Sequence, residues 1–386
     1  MVMTGSSLPP LIKLLDQLVA TPSVSCTCPE IDQSNLPVID LLAGWLADLG
    51  FVVEVLPVPD QPGKANLVAT LGSGPGGLVL AGHTDTVPYN EQRWRHNPLA
   101  VTERDNRLYG LGTSDMKGFF PIVIEAAKAY LNTPLKQPLS ILATADEESS
   151  MSGAKALTAL GRPLGRYAVI GEPTGMRPIR LHKGMMMEAI SIQGQAGHSS
   201  DPSLGRNALE AMHDVLGEVI RFQGRLRQDY QNSDFNIAFP TLNLGCIHGG
   251  DNPNRICGHC ELQIDIRPLP GMALDALRET LAKLVQPVAS RHQMEIRVDS
   301  LFDGIPAHET PADAGLVRQL EQLSGQSAGS VNFATEAPFL AQMGMETVVL
   351  GPGDIAQAHQ PDEYLSIDRI QPTIELLQKL IRKYCL

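Results

Sequence analysis

The sequence predicts an α/β protein: a mostly parallel sheet with helices on both faces, interrupted by an inserted α+β domain of ferredoxin-like order. Three observations predict it. Residues 8–183 alternate helical and strand-like apolar patterns, as expected of parallel strands joined by helices. Beyond Gly184 the order becomes βαββαβ, which fits a small two-layer domain. From about Ile305 the α/β alternation returns. The implied organisation is a first domain over residues 1–183, an insertion over 184–303, and completion of the first domain over 304–386.

The elements follow in order. Leu11 to Ala20 and Leu36 to Leu49 carry apolar residues at helical spacing. Phe51 to Val58, Asn66 to Leu71, Leu78 to Ala81, Leu139 to Ala145 and Tyr167 to Ile170 read as strands, with helices at Gly118 to Leu131 and Ser152 to Leu160. In the insertion, Met185 to Gln193 is a strand. Gly205 to Leu226 is a long amphipathic helix with Asn207, Glu210 and Asp214 outward. Strands at Thr241 to Ile247 and Gly258 to Arg267, a helix at Ala273 to Val285, and a strand at Glu295 to Ser300 complete it. The last part reads as helix 312–323, strand 329–333, helix 336–343, strand Thr347 to Leu350, and a closing helix from Ile370 to Tyr384. There is no internal repeat and no low-complexity segment.

Bulk properties narrow the function. A chain of 386 residues is long for one core and suits two domains. A formal charge of −12 argues against nucleic acid and anionic membranes as partners. No apolar run approaches the roughly 20 residues that span a bilayer. Met1 to Pro10 lacks a basic stretch followed by an apolar one, so no signal peptide is expected and a cytoplasmic location is the default. The six cysteines are too few for a disulfide scaffold in a chain this long. Cys257-Gly258-His259-Cys260 has the spacing of a thioredoxin-type motif, but a redox cysteine belongs at a helix N-terminus. Here Cys260, Leu262, Ile264 and Ile266 alternate with Glu261, Gln263, Asp265 and Arg267, the pattern of a half-buried strand.

Candidate chemistry collects where the strands end. The run Leu78 to Ala81 leads into Gly82-His83-Thr84-Asp85, Leu139 to Ala145 into Asp146-Glu147-Glu148, and Tyr167 to Ile170 into Gly171-Glu172-Pro173-Thr174. In open α/β sheets, sites form beyond the carboxyl ends of the strands. Zinc accepts imidazole nitrogen and carboxylate oxygen, and a pair of zincs about 3.5–4 Å apart shares a bridging group. The candidate bridge is Asp115, in a loop where Gly110, Gly112 and Gly118 let the backbone turn tightly. His83 and Glu172 would complete one ion, Glu148 and His359 the other. Asp85, two residues after His83 on an extended segment, is a candidate to orient the imidazole. Glu147 and Glu148 are neighbours and unsuited to ligating one ion together, so Glu147 is the candidate general base. Singly, each residue has a plain alternative: His83 a histidine bonded to backbone, Asp115 a helix cap, Glu147-Glu148 a helix N-terminus, Glu172 an exposed turn. Together they point to a metal site. The N/O donor set leaves zinc, cobalt and manganese all open. His198, in Ala196-Gly197-His198-Ser199-Ser200, and the glycine-rich tract Asn243 to Arg255 read as loop residues that bind ligand or simply connect strands.

These motifs, with the closing Gln357-Ala358-His359-Gln360-Pro361-Asp362-Glu363-Tyr364, resemble the co-catalytic zinc amidohydrolases. That family groups acetylornithine deacetylases, succinyl-diaminopimelate desuccinylases, aminoacylases and carboxypeptidases, and the likeness runs from about Leu8 to the C-terminus. Pro240 to Gly245, His248 to Asp251, Asn254 to Cys257, Asp265 to Met272 and Thr335 to Phe339 resemble the acetylornithine deacetylase branch in particular. The resemblance implies a zinc-exopeptidase-like fold and two zinc ions per subunit, with cobalt or manganese as substitutes. It implies His83, Asp115, Glu148, Glu172 and His359 as ligands, Glu147 as base and proton shuttle, and a cis Asp115–Met116 peptide. The insertion would be a lid and dimerisation domain, with His198 serving the partner's site; Asn254, Arg267 and Thr335 would contact substrate. The implied activity is hydrolysis of N2-acetyl-L-ornithine to L-ornithine and acetate, a step of arginine synthesis, by a homodimer acting on a small N-acyl amino acid. Rival readings are a desuccinylase or broader N-acyl-amino-acid deacylase, a metal-loaded binding protein without turnover, and a redox protein using Cys257 and Cys260.

Overall fold

The computed structural model of the chain describes residues 8–386. The expectation of no leader at Met1 to Pro10 falls largely outside them. The chain forms two compact units, one of residues through Arg180 with Thr310–Gly329 and Thr335–Leu386, the other of Leu181–Glu309 with Ser330–Ala334.

The first unit is a mixed α/β layer structure. Its main sheet orders the strands Val52–Pro57, Ala65–Leu71, Leu139–Thr144, Leu78–His83, Tyr167–Ile170 and Glu346–Val349. Leu78–His83 lies parallel to both its neighbours, and Glu346–Val349 lies parallel to Tyr167–Ile170. Every residue of Leu78–His83 and of Leu139–Thr144 is buried, which is why these strands read as unbroken apolar runs rather than as alternation. The parallel middle brings the carboxyl ends of three strands to one edge. The strand expected from Asn66 starts at Ala65 and is antiparallel to both neighbours, so the parallel character is confined to the middle of the sheet.

Helices Leu36–Asp48, Phe119–Lys128 and Ile370–Cys385 supply the apolar cover. Phe119, Phe120, Ile122, Val123, Leu377 and Ile381 pack with Leu78, Leu80, Leu139 and Ile141 in one core. Short strands Thr102–Arg104, Arg107–Tyr109 and Tyr364–Ser366 form a small antiparallel sheet that the apolar pattern does not reveal, because each is only three residues long.

The second unit is a four-stranded antiparallel sheet, ordered Thr241–Gly249, His259–Arg267, Met186–Gln193 and Glu295–Ser300. Helices Ala208–Asp229 and Leu274–His292 share its core, with Met212, Val215 and Val219 from the first and Leu277, Leu281 and Val285 from the second. Cys260, Leu262, Ile264 and Ile266 are buried in that core, as their alternation predicts. The second helix runs past the expected end at Val285 to His292, with Pro287 inside it. Val288 continues the buried stripe of Leu281 and Val285, so packing beyond the proline offsets the hydrogen bond that residue cannot donate. The first helix begins at Ala208, three residues later than expected, where the Asn207 side chain accepts from Leu209 N. Among the described residues, no helix is long and apolar enough to cross a membrane.

Candidate metal centre

The edge of the first unit's sheet gathers the five proposed ligands. His83 ends its strand fully buried, with Nε2 3.2 Å from Asp115 Oδ1 and 3.9 Å from Glu172 Oε1. His359 Nε2 lies 3.0 Å from Glu148 Oε2 and 3.6 Å from Asp115 Oδ2. Asp115 therefore stands between the two imidazoles, with Glu172 on the His83 side and Glu148 on the His359 side. Oxygens of Glu147 and Glu172 lie within 4.8 Å of one another and of a His83 ring nitrogen, as do those of Asp115 and Glu148. Glu147 thus faces the His83–Glu172 half of the cluster.

Local sequence explains each position. The Asp115 loop turns at Gly112, whose φ is +80°, and closes at Gly118, where a Cβ would sit 2.1 Å from the Thr113 carbonyl oxygen. The Asp115–Met116 peptide is cis. Gly171 precedes Glu172 because a Cβ there would lie 2.2 Å from the buried Phe119 ring. Asp146, with φ +58°, turns the chain after its strand and is held by Lys64 at 2.6 Å and by the Ser25 and Ser152 hydroxyls. Glu147 and Glu148 thus sit in an anchored turn, ahead of the helix that begins at Ser152.

Asp85 orients its neighbours differently from the simplest expectation. His83 Nδ1 faces the Asp85 main-chain oxygen at 3.0 Å, while the Asp85 carboxylate is 3.7 Å away. That carboxylate instead accepts the Glu148 main-chain N–H at 3.0 Å. One residue therefore fixes both the imidazole tautomer and the turn of Glu148.

The remaining candidates divide between the two units. Thr335 belongs to the first unit, is buried, and its hydroxyl accepts from Ala337 N at 3.2 Å. His198, Asn254 and Arg267 belong to the second unit. His198 is exposed and its Nδ1 accepts from Ser200 N at 3.2 Å. The Asn254 carbonyl accepts from Ser199 N at 3.1 Å, which ties the His198 loop to the tract around Asn254. Arg267 pairs with Asp265 at 2.9 Å.

Three buried charged groups at the centre escape sequence reasoning. Lys117 donates to the carbonyls of Leu18 and Thr21, and burial pushes its amine down to about 7 against the charges of Asp85 and Glu363. Glu336 accepts from Thr144 Oγ1 at 2.9 Å, and burial carries its carboxyl up to about 7. Glu363 accepts from main-chain amides of the Asp115 loop. Their only sequence signal is proximity to recognised motifs, since each acts on a segment far away in the chain.

The electrostatics test whether divalent ions fit. Burial, followed by the charge of Glu172, raises the Glu147 carboxyl well above its ordinary range. Burial raises Glu172 likewise, against the opposing charge of His83. Burial and then Asp115 raise Glu148. Burial works against a charged His83, yet the Asp115 hydrogen bond and the charges of Glu172, Asp85 and Glu147 raise its pKa well above the usual value. The Glu148 hydrogen bond raises His359 to about 9, with burial opposing. Too little positive charge serves too many buried carboxylates. Glu172 Oε1 and Asp85 Oδ1 are buried with no hydrogen-bond partner among the described residues. Imidazole and carboxylate donors around this charge deficit fit divalent cations of the zinc, cobalt and manganese type.

Residues 79–383 match the family model described as peptidase family M20/M25/M40. An acetylornithine deacetylase of Klebsiella pneumoniae (strain 342) is 52% identical over 380 residues, covering 98% of this chain and 99% of the relative. One from Edwardsiella ictaluri (strain 93-146) is 52% identical over 381 residues, covering 99% of each. Among solved structures, the aminopeptidase PepT of Bacillus cereus superposes with a TM-score of 0.75 at 19% identity over 97% of both chains. A Bacillus subtilis protein described as a dinuclear metal binding peptidase of the M20 family gives a TM-score of 0.68 at 14% identity over 96% of both chains. With that family model spanning most of its length, and its ligand-rich loops within the matched region, the chain belongs to peptidase family M20/M25/M40.

Proposed function

We propose that this chain is a metal-dependent hydrolase that converts N2-acetyl-L-ornithine to L-ornithine and acetate, a step of arginine synthesis. The observation that carries the chemistry is the placement of Glu147, within 4.8 Å of His83 and Glu172 at the edge of a buried carboxylate–imidazole cluster. The choice of substrate rests on the name shared by relatives more than half identical over nearly the whole chain.

His83 and Glu172 would hold one divalent cation and Glu148 and His359 the other, with Asp115 between them. Bound there, the cations supply a Lewis acid for the amide carbonyl and lower the pKa of water. Glu147 takes the proton of the attacking water and returns it to the departing α-amine. A carboxyl whose pKa is raised by burial and by Glu172 suits both halves of that transfer. Asp85 keeps His83 and Glu148 in place throughout. Zinc is the proposed native ion, with cobalt or manganese able to replace it. We assign Asn254, Arg267 and Thr335 to substrate contact. The insertion 184–303 acts as lid and dimerisation domain of a cytoplasmic homodimer, in which His198 of one copy stabilises the oxyanion in the other.

The test is amine release from N-acetyl-L-ornithine and N-succinyl-L,L-diaminopimelate, assayed side by side on chelated protein with and without added zinc. Zinc-dependent turnover of the acetyl substrate alone is expected. Preference for the succinyl substrate would keep the chemistry and overturn the specificity. No turnover of either by zinc-loaded protein would overturn the assignment.

A further inference from the structure

Glu363 lies four residues beyond His359 and is 2% exposed. Its Oε1 accepts from Ser114 N at 2.8 Å and from Asp115 N at 2.9 Å, and its Oε2 accepts from Gly112 N at 2.9 Å. Its own carbonyl accepts from Gly110 N at 3.0 Å. One side chain thus takes up three amides of the loop that presents Asp115, those of Gly112, Ser114 and Asp115, while the Thr113 amide turns back to the Gly110 carbonyl. The same segment returns to Asp115 a second time, through His359 Nε2 at 3.6 Å from Oδ2. The Asp115 carboxylate is therefore located from both ends: its amide by Glu363, its oxygens between His83 and His359.

The residue type matters. Both Glu363 oxygens accept, so one carboxyl serves all three amides at once; burial and then Asp115 push its pKa up to about 8, and the three amides oppose that by favouring the acceptor-only carboxylate. A glutamine of the same size has one acceptor and one donor group, and would set N–H against N–H on one side of the loop.

We propose that Glu363 is a positioning residue of the metal centre: it fixes the Asp115 carboxylate at the separation from His83 and His359 that two cations require. This rests on the assignment of Asp115 and His359 as ligands. Nearby Asp362 supplies a control, because its Oδ1 caps Arg95 N at 2.8 Å and His96 N at 3.1 Å, tying the same segment to a different loop.

The experiment compares chelated full-length wild type, Glu363→Gln and Asp362→Asn, titrated with zinc(II) and with cobalt(II) under a visible spectrum. Glu363→Gln is expected to weaken binding of the second ion by about 10–100-fold, the usual cost of losing a partner that orients a ligand. It should also change the cobalt spectrum. Asp362→Asn should keep both affinity and spectrum. Wild-type affinity and spectrum in Glu363→Gln overturn the proposal, as does an equal loss in Asp362→Asn, which would mark general loosening of the segment. If Glu363→Gln does not fold, Glu363→Asp decides: it keeps both acceptor oxygens on a shorter stem. A several-fold loss of zinc affinity in that folded variant supports the proposal, and wild-type affinity overturns it. A wild type that binds no zinc overturns the ligand assignment itself, an outcome distinct from the others.

Discussion

Nε2 of His359 lies 3.0 Å from Oε2 of Glu148, although 211 residues separate the two in the chain. The Glu148 side chain is almost buried and the His359 ring is about half exposed, so the pair sits at the rim of the centre. The two proposed ligands are within hydrogen-bond distance of each other, and the Glu148 carboxylate raises the His359 imidazole to about 9.

That pairing sets a pH dependence. An imidazole must lose its proton before it ligates, and the proton on His359 is held until about pH 9. Cation affinity should therefore rise with pH from 6 towards 9 and fall on acidification. Loading at pH 7 should release at least one proton per subunit. Calorimetric titration with zinc in buffers of different ionisation enthalpy measures the release directly. Affinity independent of pH across this range would contradict the assignment of His359.

Glu147→Gln preserves volume but removes the proton carrier. It should retain the metal content of the wild type while lowering kcat by about two to four orders of magnitude, the range expected for loss of a general base. KM should change little. Metal analysis beside steady-state kinetics on acetylornithine checks both, and near-normal turnover would remove Glu147 from the mechanism.

Gly171→Ala places a methyl about where the Phe119 ring stands, 2.2 Å away. Phe119 is buried in the main core and cannot swing into solvent. Overpacking of this kind costs about 1–3 kcal/mol. The variant should unfold at lower denaturant concentration and, because Glu172 follows directly, bind zinc more weakly. Unchanged stability would show that the helix starting at Phe119 yields easily.

Cys257 and Cys260 are buried free thiols, and Cys257 Sγ donates to the His259 carbonyl. Neither stands at a helix N-terminus, since Cys260 lies within the strand His259–Arg267. The double Cys→Ser variant should keep hydrolytic activity within about twofold, any loss coming from packing. A large fall in kcat with stability unchanged would reopen a redox role.

The legible part of this molecule was the part built from buried parallel strands. His83, Glu148 and Glu172 follow apolar runs that are apolar because both faces of the sheet are covered, so strand ends and ligand positions are marked together. Asp115 was marked by its glycines. His359 follows no apolar run, so no strand end marks its position in the sequence. Lys117, Glu336 and Glu363 are not legible there, because each acts on backbone or side chains far off in sequence, where no local periodicity records the contact. The helix past Val285 is illegible for a related reason: Pro287 is a local stop signal, and tertiary packing overrides it. Spacing singles out Asp85, but which of its oxygens meets which neighbour depends on a backbone path that spacing alone does not define.

The segment that carries His359 and Glu363 follows the other proposed ligands in the chain and is therefore made after them. A nascent chain already has His83, Asp115, Glu148 and Glu172 well before that segment is made, along with most of the strands that present them. What it lacks is the second imidazole and the carboxylate that saturates the Gly112–Asp115 amides. On the proposed ligand assignment, competence to hold the second cation therefore arrives only once that segment has been made, and a chain stopped before His359 would carry an incomplete centre.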